Sequence, residues 1–259
     1  MNRELLIQIQ AWFEDFVDGF CPASSDLPSP LVLKQVHTRA VASNARLIAR
    51  ELEWSEEDIR LSEALGWLHD VGRFAQFAEF GHFHDATSVN HGLRGCELVA
   101  ASDILDSLSG DRRNALLESI RHHNAKDIPT TLSPLTLPFL RLIRDADKLD
   151  IYRVVIEGLR QNGFRELSNI WPHIQLDGPV NPDLLREIQT RHSVDLVHVK
   201  SLADFLVLQA HWIYDLHYAP TRNQVRQRRI LESLSSYLPA HPEAQEFFCQ
   251  VQHNLQTKP

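Results

Sequence analysis

The sequence predicts an all-α protein, a helical bundle with a C-terminal helical extension, and three observations carry that expectation. Ten glycines in 259 residues leave little chain for the turns of an all-β fold. Long segments repeat apolar residues three and four positions apart, the spacing of one helix face. Helix-start signals stand directly ahead of several of these segments.

Residues 1 to 20 read as a short amphipathic helix, and CPASSDLPSP at 21 to 30 reads as a loop. Ser29 and Pro30 then offer an N-cap and a first-turn proline. The helix they open runs to about Glu51 or Leu52, with Leu33, Val36, Ala40, Val41 and Ile48 along its inward stripe and His37 on the same stripe. Ser55 and Asp58 resemble a capping box, and Trp54 and Ile59 stand where a hydrophobic staple requires them, so a helix starts there and ends near Gly72.

Residues 73 to 90 lack sustained periodicity and are expected to form a loop or short helical turns over a site. Three helices follow, at about 91 to 108, 111 to 124 and 138 to 160. The segment WPHIQLDGPVNP at 171 to 182 concentrates proline and glycine and marks a hinge. Beyond it, 183 to 259 reads as about four helices, with Leu202, Phe205, Gln209, Trp212 and Leu216 on one face. This divides the chain into an N-terminal helix and loop (1 to 29), a main domain (30 to 170) and an extension packing on it (171 to 259).

A hydrophobic fraction of 43% and a charged fraction of 23% are those of a chain that buries a core. The formal net charge of -8 argues against tight non-specific binding to polynucleotides or anionic membranes, which need basic surface. Small phosphorylated ligands stay compatible with it, because a local cation overrides the average. Arg222, Arg226, Arg228 and Arg229 form one basic cluster, which fits a solvated or salt-bridged helix face better than a nucleic-acid motif. Cys21, Cys96 and Cys249 are an odd set without CxxC spacing and suggest neither disulfides nor thiolate metal ligands. The acidic residues within MNRELLIQIQAWFEDF do not suit a signal peptide, and no stretch offers about 18 uninterrupted apolar residues. A cytoplasmic location is expected.

His69 and Asp70 are neighbours at a helix end, where side chains about 100° apart can lean toward one ion. Such a pair is common by chance, so its companions decide. His37 lies on an apolar stripe, where an imidazole needs a partner to offset its desolvation. Leu140, Ile143, Asp147 and Ile151 share one helix face, which aims the Asp147 carboxylate inward. Buried carboxylates are rare unless paired or bound to metal. Asp145 and Asp150 are expected to be solvated, although Asp150 lies one turn beyond Asp147 and could support a ligand from behind. His123 follows Leu116 and Ile120 and should point inward, whereas His122 follows Ala115, Glu118 and Ser119 and is the weaker candidate. His91 stands at a helix start, where a cap is as good a reading as a ligand.

HTRA at 37 to 40, WLHDVGRF at 67 to 74 and RDADKLD at 144 to 150 together resemble the HD-domain superfamily of metal-dependent phosphohydrolases. The resemblance spans roughly residues 30 to 160 and implies His37, His69, Asp70 and Asp147 as ligands of a first metal ion. Members with two ions add histidines between the HD pair and the last aspartate. His91 and His123 match those additions, with Asp70 bridging. No GYP element follows HHNA at 122 to 125, and Leu33 stands where a glutamate ligand would precede His37, so the three-metal cyclic-dinucleotide branch is disfavoured.

A ligand set of imidazole and carboxylate suits one or two ions of Mn, Fe, Co, Ni or Zn. The expected reaction is hydrolysis of a phosphomonoester or phosphodiester in a small substrate, nucleotides included. Asp70, Arg73 and Lys148 are its candidate catalytic residues, and His82 and His84 are nearby. The same ligands occur in HD-type di-iron oxygenases, and a third reading is a non-catalytic nucleotide-binding module. The apolar helix from about 195 to 218 must pack on the main domain or on a partner subunit, which allows a homo-oligomer.

Overall fold

A computed structural model of the chain describes residues 1–21, 26–163, 165, 174–190 and 194–257. Their regular elements are helices, and among the described residues the β pairing is one isolated bridge between Gln175 and Ser201. Contacts divide the chain into two units, Met1–Asp150 and Ile151–Pro259. Among the described residues, no helix is long and apolar enough to cross a membrane.

The first unit opens with α1 (Arg3–Asp18), capped by Asn2, whose side chain accepts from the Leu5 amide. Leu5, Leu6, Ile9, Phe13 and Val17 form its buried stripe. Helix α2 (Ser29–Glu51) follows. Ser29 is helical rather than the expected cap; Pro28 takes the cap position and no side chain caps there. The inward stripe is also rotated from the expected one. Val36 is exposed and Leu33 and Ala40 are half-buried, while Leu31, His37, Val41, Ala45 and Ile48 are buried. The small residues explain the shift, because the buried side is the one that lets α3 approach closely.

Helix α3 (Glu56–Leu68) starts at Ser55, whose hydroxyl oxygen accepts from the Asp58 amide (3.2 Å). A Cβ on Gly66 would lie 2.4 Å from the Ala42 Cα, so α2 and α3 touch backbone to backbone at that point. That contact brings His37 and His69 onto one side of the packed pair.

The helix expected to run to about Gly72 ends at Leu68, and residues 73 to 80, expected as a loop or short helical turns, belong to helix α4 (Val71–Phe80). Phe74 anchors it from its fully buried position, edge-on to Phe13 and Phe16 of α1. Gly81 ends it in the left-handed conformation (φ 74°), which only glycine adopts cheaply. The segment 81–90 that follows holds a single 3₁₀ turn, Asp85–Thr87. Helix α5 (His91–Ala100) is shorter than expected, because residues 103 to 105 form a separate 3₁₀ turn. Then come α6 (Gly110–His122) and α7 (Thr136–Asn162).

Around Asp147, α7 is buried on nearly all sides. Asp145 and Asp150 are 0% and 1% exposed, which overturns the expectation that they are solvated. The argument from one apolar face fails here because a helix covered all round has no polar face to contrast with it.

The second unit contains α8 (Pro182–Thr190), α9 (Leu202–His211), α10 (Ala219–Gln227), α11 (Ile230–Ser235) and α12 (Pro242–Thr257). Residues 171–173 of the expected hinge lie outside the described residues. Helix α9 begins with a full capping box of Ser201 and Asp204 and is buried from Ala203 to His211, so the expected single face is replaced by burial all round. Trp212 and Leu216 fall beyond its end. In the basic cluster, Arg222 and Arg226 donate to the carbonyls of Leu216 and Leu255, a structural use of their charge.

Candidate metal centre

His69 is the C-cap of α3 and Asp70 the N-cap of α4, so the junction of two helices carries both side chains. Asp70 adopts φ -108° and ψ 13°, a bend that turns the chain while both side chains face inward. His37 arrives from the middle of α2, His91 is the first residue of α5, and His123 caps the end of α6. Asp147 comes from α7, whose Ala146 carbonyl accepts from Asn44 of α2 (3.3 Å). Arg144 of the same helix donates to the carbonyls of His123 and Ala125 and so ties α7 to the end of α6.

Six side chains converge in three overlapping groups, His37 with His69 and Asp70, His69 with His123 and Asp147, and Asp70 with His91 and His123. Asp70 Oδ2 faces His37 Nε2 (3.7 Å) and His69 Nε2 (3.9 Å). Asp147 Oδ1 faces the same two histidines, at 3.1 Å from His37 Nε2 and 3.9 Å from His69 Nε2. The other Asp70 oxygen, Oδ1, faces His91 Nε2 (3.5 Å) and His123 Nε2 (3.7 Å), which lie 3.1 Å from each other.

The four imidazoles present the same nitrogen. His37 Nδ1 donates to Asp150 Oδ2 (2.7 Å) and His69 Nδ1 to the Gly66 carbonyl (2.8 Å). His91 Nδ1 donates to Asp85 Oδ2 (2.6 Å) and His123 Nδ1 to the Ile120 carbonyl (2.8 Å). With Nδ1 donating and held, each Nε2 faces the centre, the arrangement of metal-binding histidines.

The donor set fits a divalent cation. His69 Nε2 is buried and has no hydrogen-bond partner, a cost that a bound cation removes. Atoms bonded to one ion at 2.0–2.2 Å lie about 3.0–3.6 Å apart, close to the separations found here. Burial lowers His69 to about 4 against the pull of Asp70 and Asp147, and burial with Arg73 lowers His91 to about 3. Both are therefore neutral at pH 7, as ligands must be. Burial and Lys34 press His37 down, but hydrogen bonds to Asp147 and Asp150 outweigh them and raise it to about 9. A cation at this point takes the place of its Nε2 proton. Burial opposes the ionised form of Asp70, yet Lys34 and the surrounding histidines hold it well below the usual carboxylate range.

The other residues singled out in the sequence sit differently. His122 is 27% exposed beside Glu118 (3.4 Å) and is not part of these groups. Arg73 approaches Asp70 Oδ1 (3.7 Å), but its Nη1 is occupied by Asp85 Oδ1 (2.8 Å), Gln76 Oε1 (2.9 Å) and the Phe83 carbonyl. Lys148 is buried on α7, one residue past Asp147. His84 contacts Thr87 (3.0 Å), and its amide donates to His82 (3.2 Å).

Two residues escape the sequence reading. Lys34 donates to Asp70 Oδ2 (2.8 Å) and lies over the Phe83 ring (5.6 Å). Its position three residues before His37, hence on the same helix face, was the available signal. Asp85 had none, since it lies in an aperiodic segment whose partners follow no helical or strand spacing.

The six converging imidazole and carboxylate side chains of this helical unit could hold a metal ion. Residues 35–152 match the family model of the HD domain, so this part of the chain is similar to the HD-domain superfamily. Together the match and the ligand cluster indicate a family of metal-dependent hydrolases. Comparison with curated proteins gave no match, and comparison with solved structures gave none.

Proposed function

We propose that the protein is a phosphohydrolase that uses one or two divalent ions to cleave a phosphomonoester or phosphodiester of a small substrate, with nucleotides among the candidates. The observation that carries the reading is the position of Asp70, whose two oxygens each face a separate pair of histidines. His37, His69, Asp70 and Asp147 would hold the first ion, and Asp70, His91 and His123 the second. When bound, such ions supply Lewis acidity toward a phosphoryl oxygen and lower the pKa of water.

The remaining groups suit an anionic substrate. The Asp147 side chain is 22% exposed while Asp70 is 4% exposed, so the cluster opens on the Asp147 side. Lys34 has Asp70 as its hydrogen-bond partner and can pass its ammonium to a phosphoryl oxygen once a cation occupies that carboxylate. Lys34→Ala is accordingly expected to raise KM for a phosphoester about tenfold with metal content unchanged, since a charged hydrogen bond contributes about 1.5 kcal/mol or more. An unchanged KM in steady-state kinetics removes Lys34 from substrate binding.

The function is tested by assaying a panel of nucleotides and phosphoesters with Mn, Fe, Co, Ni and Zn, without oxygen. Phosphate or nucleotide release that a chelator abolishes and added metal restores is the expected result. Absence of release with every metal overturns the reading, and oxygen consumption in its place favours the di-iron oxygenase alternative.

A further inference from the structure

Asp85 sits in the segment between α4 and α5, outside the residues that would bind either ion. Four donors nonetheless meet on its carboxylate. Oδ1 accepts from Arg73 Nη1 (2.8 Å) and Gln76 Nε2 (3.0 Å). Oδ2 accepts from His91 Nδ1 (2.6 Å) and Asn124 Nδ2 (3.0 Å). The donors come from α4, from the start of α5 and from the turn after α6, so one side chain joins three elements around the second histidine pair.

The segment itself is anchored. Gln76 is fully buried, and its amide also donates to Ser88 Oγ (2.8 Å) and the Val89 carbonyl (3.0 Å). Arg73 donates to the Phe83 carbonyl as well. The carboxylate is thereby fixed in place, and its charge is matched by the Arg73 guanidinium.

The other three histidines are held differently. His69 and His123 donate to carbonyls of their own helices, and His37 donates to Asp150 of α7. Of the four, His91 alone depends on the segment 81–90 for its orientation.

We propose that Asp85 is the positioning residue that sets occupancy of the second ion, by holding His91 with its Nε2 lone pair toward Asp70 and His123. The proposal rests on the two-ion reading of the centre. Without the carboxylate, the imidazole gains the alternative tautomer and rotations about its side-chain torsions, and the second ion loses one preoriented ligand. The first ion keeps all of its ligands and their supports.

The experiment compares the full-length protein with Asp85→Ala and Asp85→Asn. Metal content is measured after dialysis against cobalt(II), and cobalt uptake is followed by visible absorption. The native protein is expected to take up two equivalents. Asp85→Ala should keep the first with native affinity and bind the second ten- to a hundredfold more weakly. Asp85→Asn, which retains an acceptor for His91, should fall between them. In metal-free protein, the imidazole nitrogen resonances of His91 should show Nδ1–H in the native chain and a tautomer mixture in Asp85→Ala.

Two equivalents bound with native affinity in both variants would overturn the assignment while leaving the two-ion reading intact. A single equivalent in the native protein overturns that reading and this inference together. Equal weakening of both ions, or unchanged His91 resonances, makes Asp85 a general structural residue and also sinks the proposal.

Discussion

Asp70→Ala is expected to strip both ions from the protein and reduce hydrolysis to the uncatalysed background, while the helical circular dichroism persists. Its oxygens serve the two histidine pairs separately, so a single truncation removes a ligand from each. Variants on one side should behave otherwise. On the proposed two-ion assignment, Asp147→Ala would weaken mainly the first ion, whose histidines its carboxylate faces, and His123→Ala mainly the second. Metal analysis after dialysis distinguishes these patterns, and two retained equivalents in Asp70→Ala would refute the shared-carboxylate arrangement. The fold should survive, because the α1, α3 and α4 core built on Phe13, Leu65, Leu68 and Phe74 does not include Asp70.

Gly72→Ala is expected to lower stability by about 3 kcal/mol, at or beyond the upper end of ordinary overpacking. A Cβ there would stand 2.1 Å from the His91 carbonyl oxygen and 2.7 Å from the Gly95 nitrogen. Both are backbone atoms, so no rotamer change relieves the clash and α4 must separate from α5. Gly110→Ala is the control, since its Cβ would meet nothing within 4 Å. Thermal unfolding should show a drop of roughly 6–12 °C for the first and almost none for the second. A change below about 1 kcal/mol in Gly72→Ala would mean that the two helices do not meet as closely as the structure has them. Because the obstructing atom belongs to His91, weaker binding of the second ion should accompany the loss of stability.

The helices and ligand candidates that could be read from the sequence are those whose signal is local. Ser55 announces α3 through a cap within three residues, and Leu5, Ile9, Phe13 and Val17 trace α1 at helical spacing. Histidine and aspartate are recognisable by type, and helical phase alone directs His123 inward and leaves His122 at the surface. Helix α4 was not legible because its burial rests mainly on Phe74, whose aromatic partners lie on α1 and just beyond its end. Asp145 and Asp150 were misread because periodicity reports a contrast between two faces, and α7 has little contrast there. Asp85 lies in a segment that no periodicity encodes, and the Lys34 contact with Asp70 spans 36 positions of chain, so the place of Lys34 on the His37 face of α2 was its one local signal.

The anchoring of every imidazole through its Nδ1 has a consequence for metal selection. The torsions of these rings are already frozen when the polypeptide folds, so little disorder remains to be lost when a cation arrives. Such a cavity does not reshape itself around whichever ion is abundant. If the proposed centre holds a metal, it would discriminate by radius and preferred bond angles, and exchanging one transition metal for another should alter the rate of turnover far more than the architecture around it.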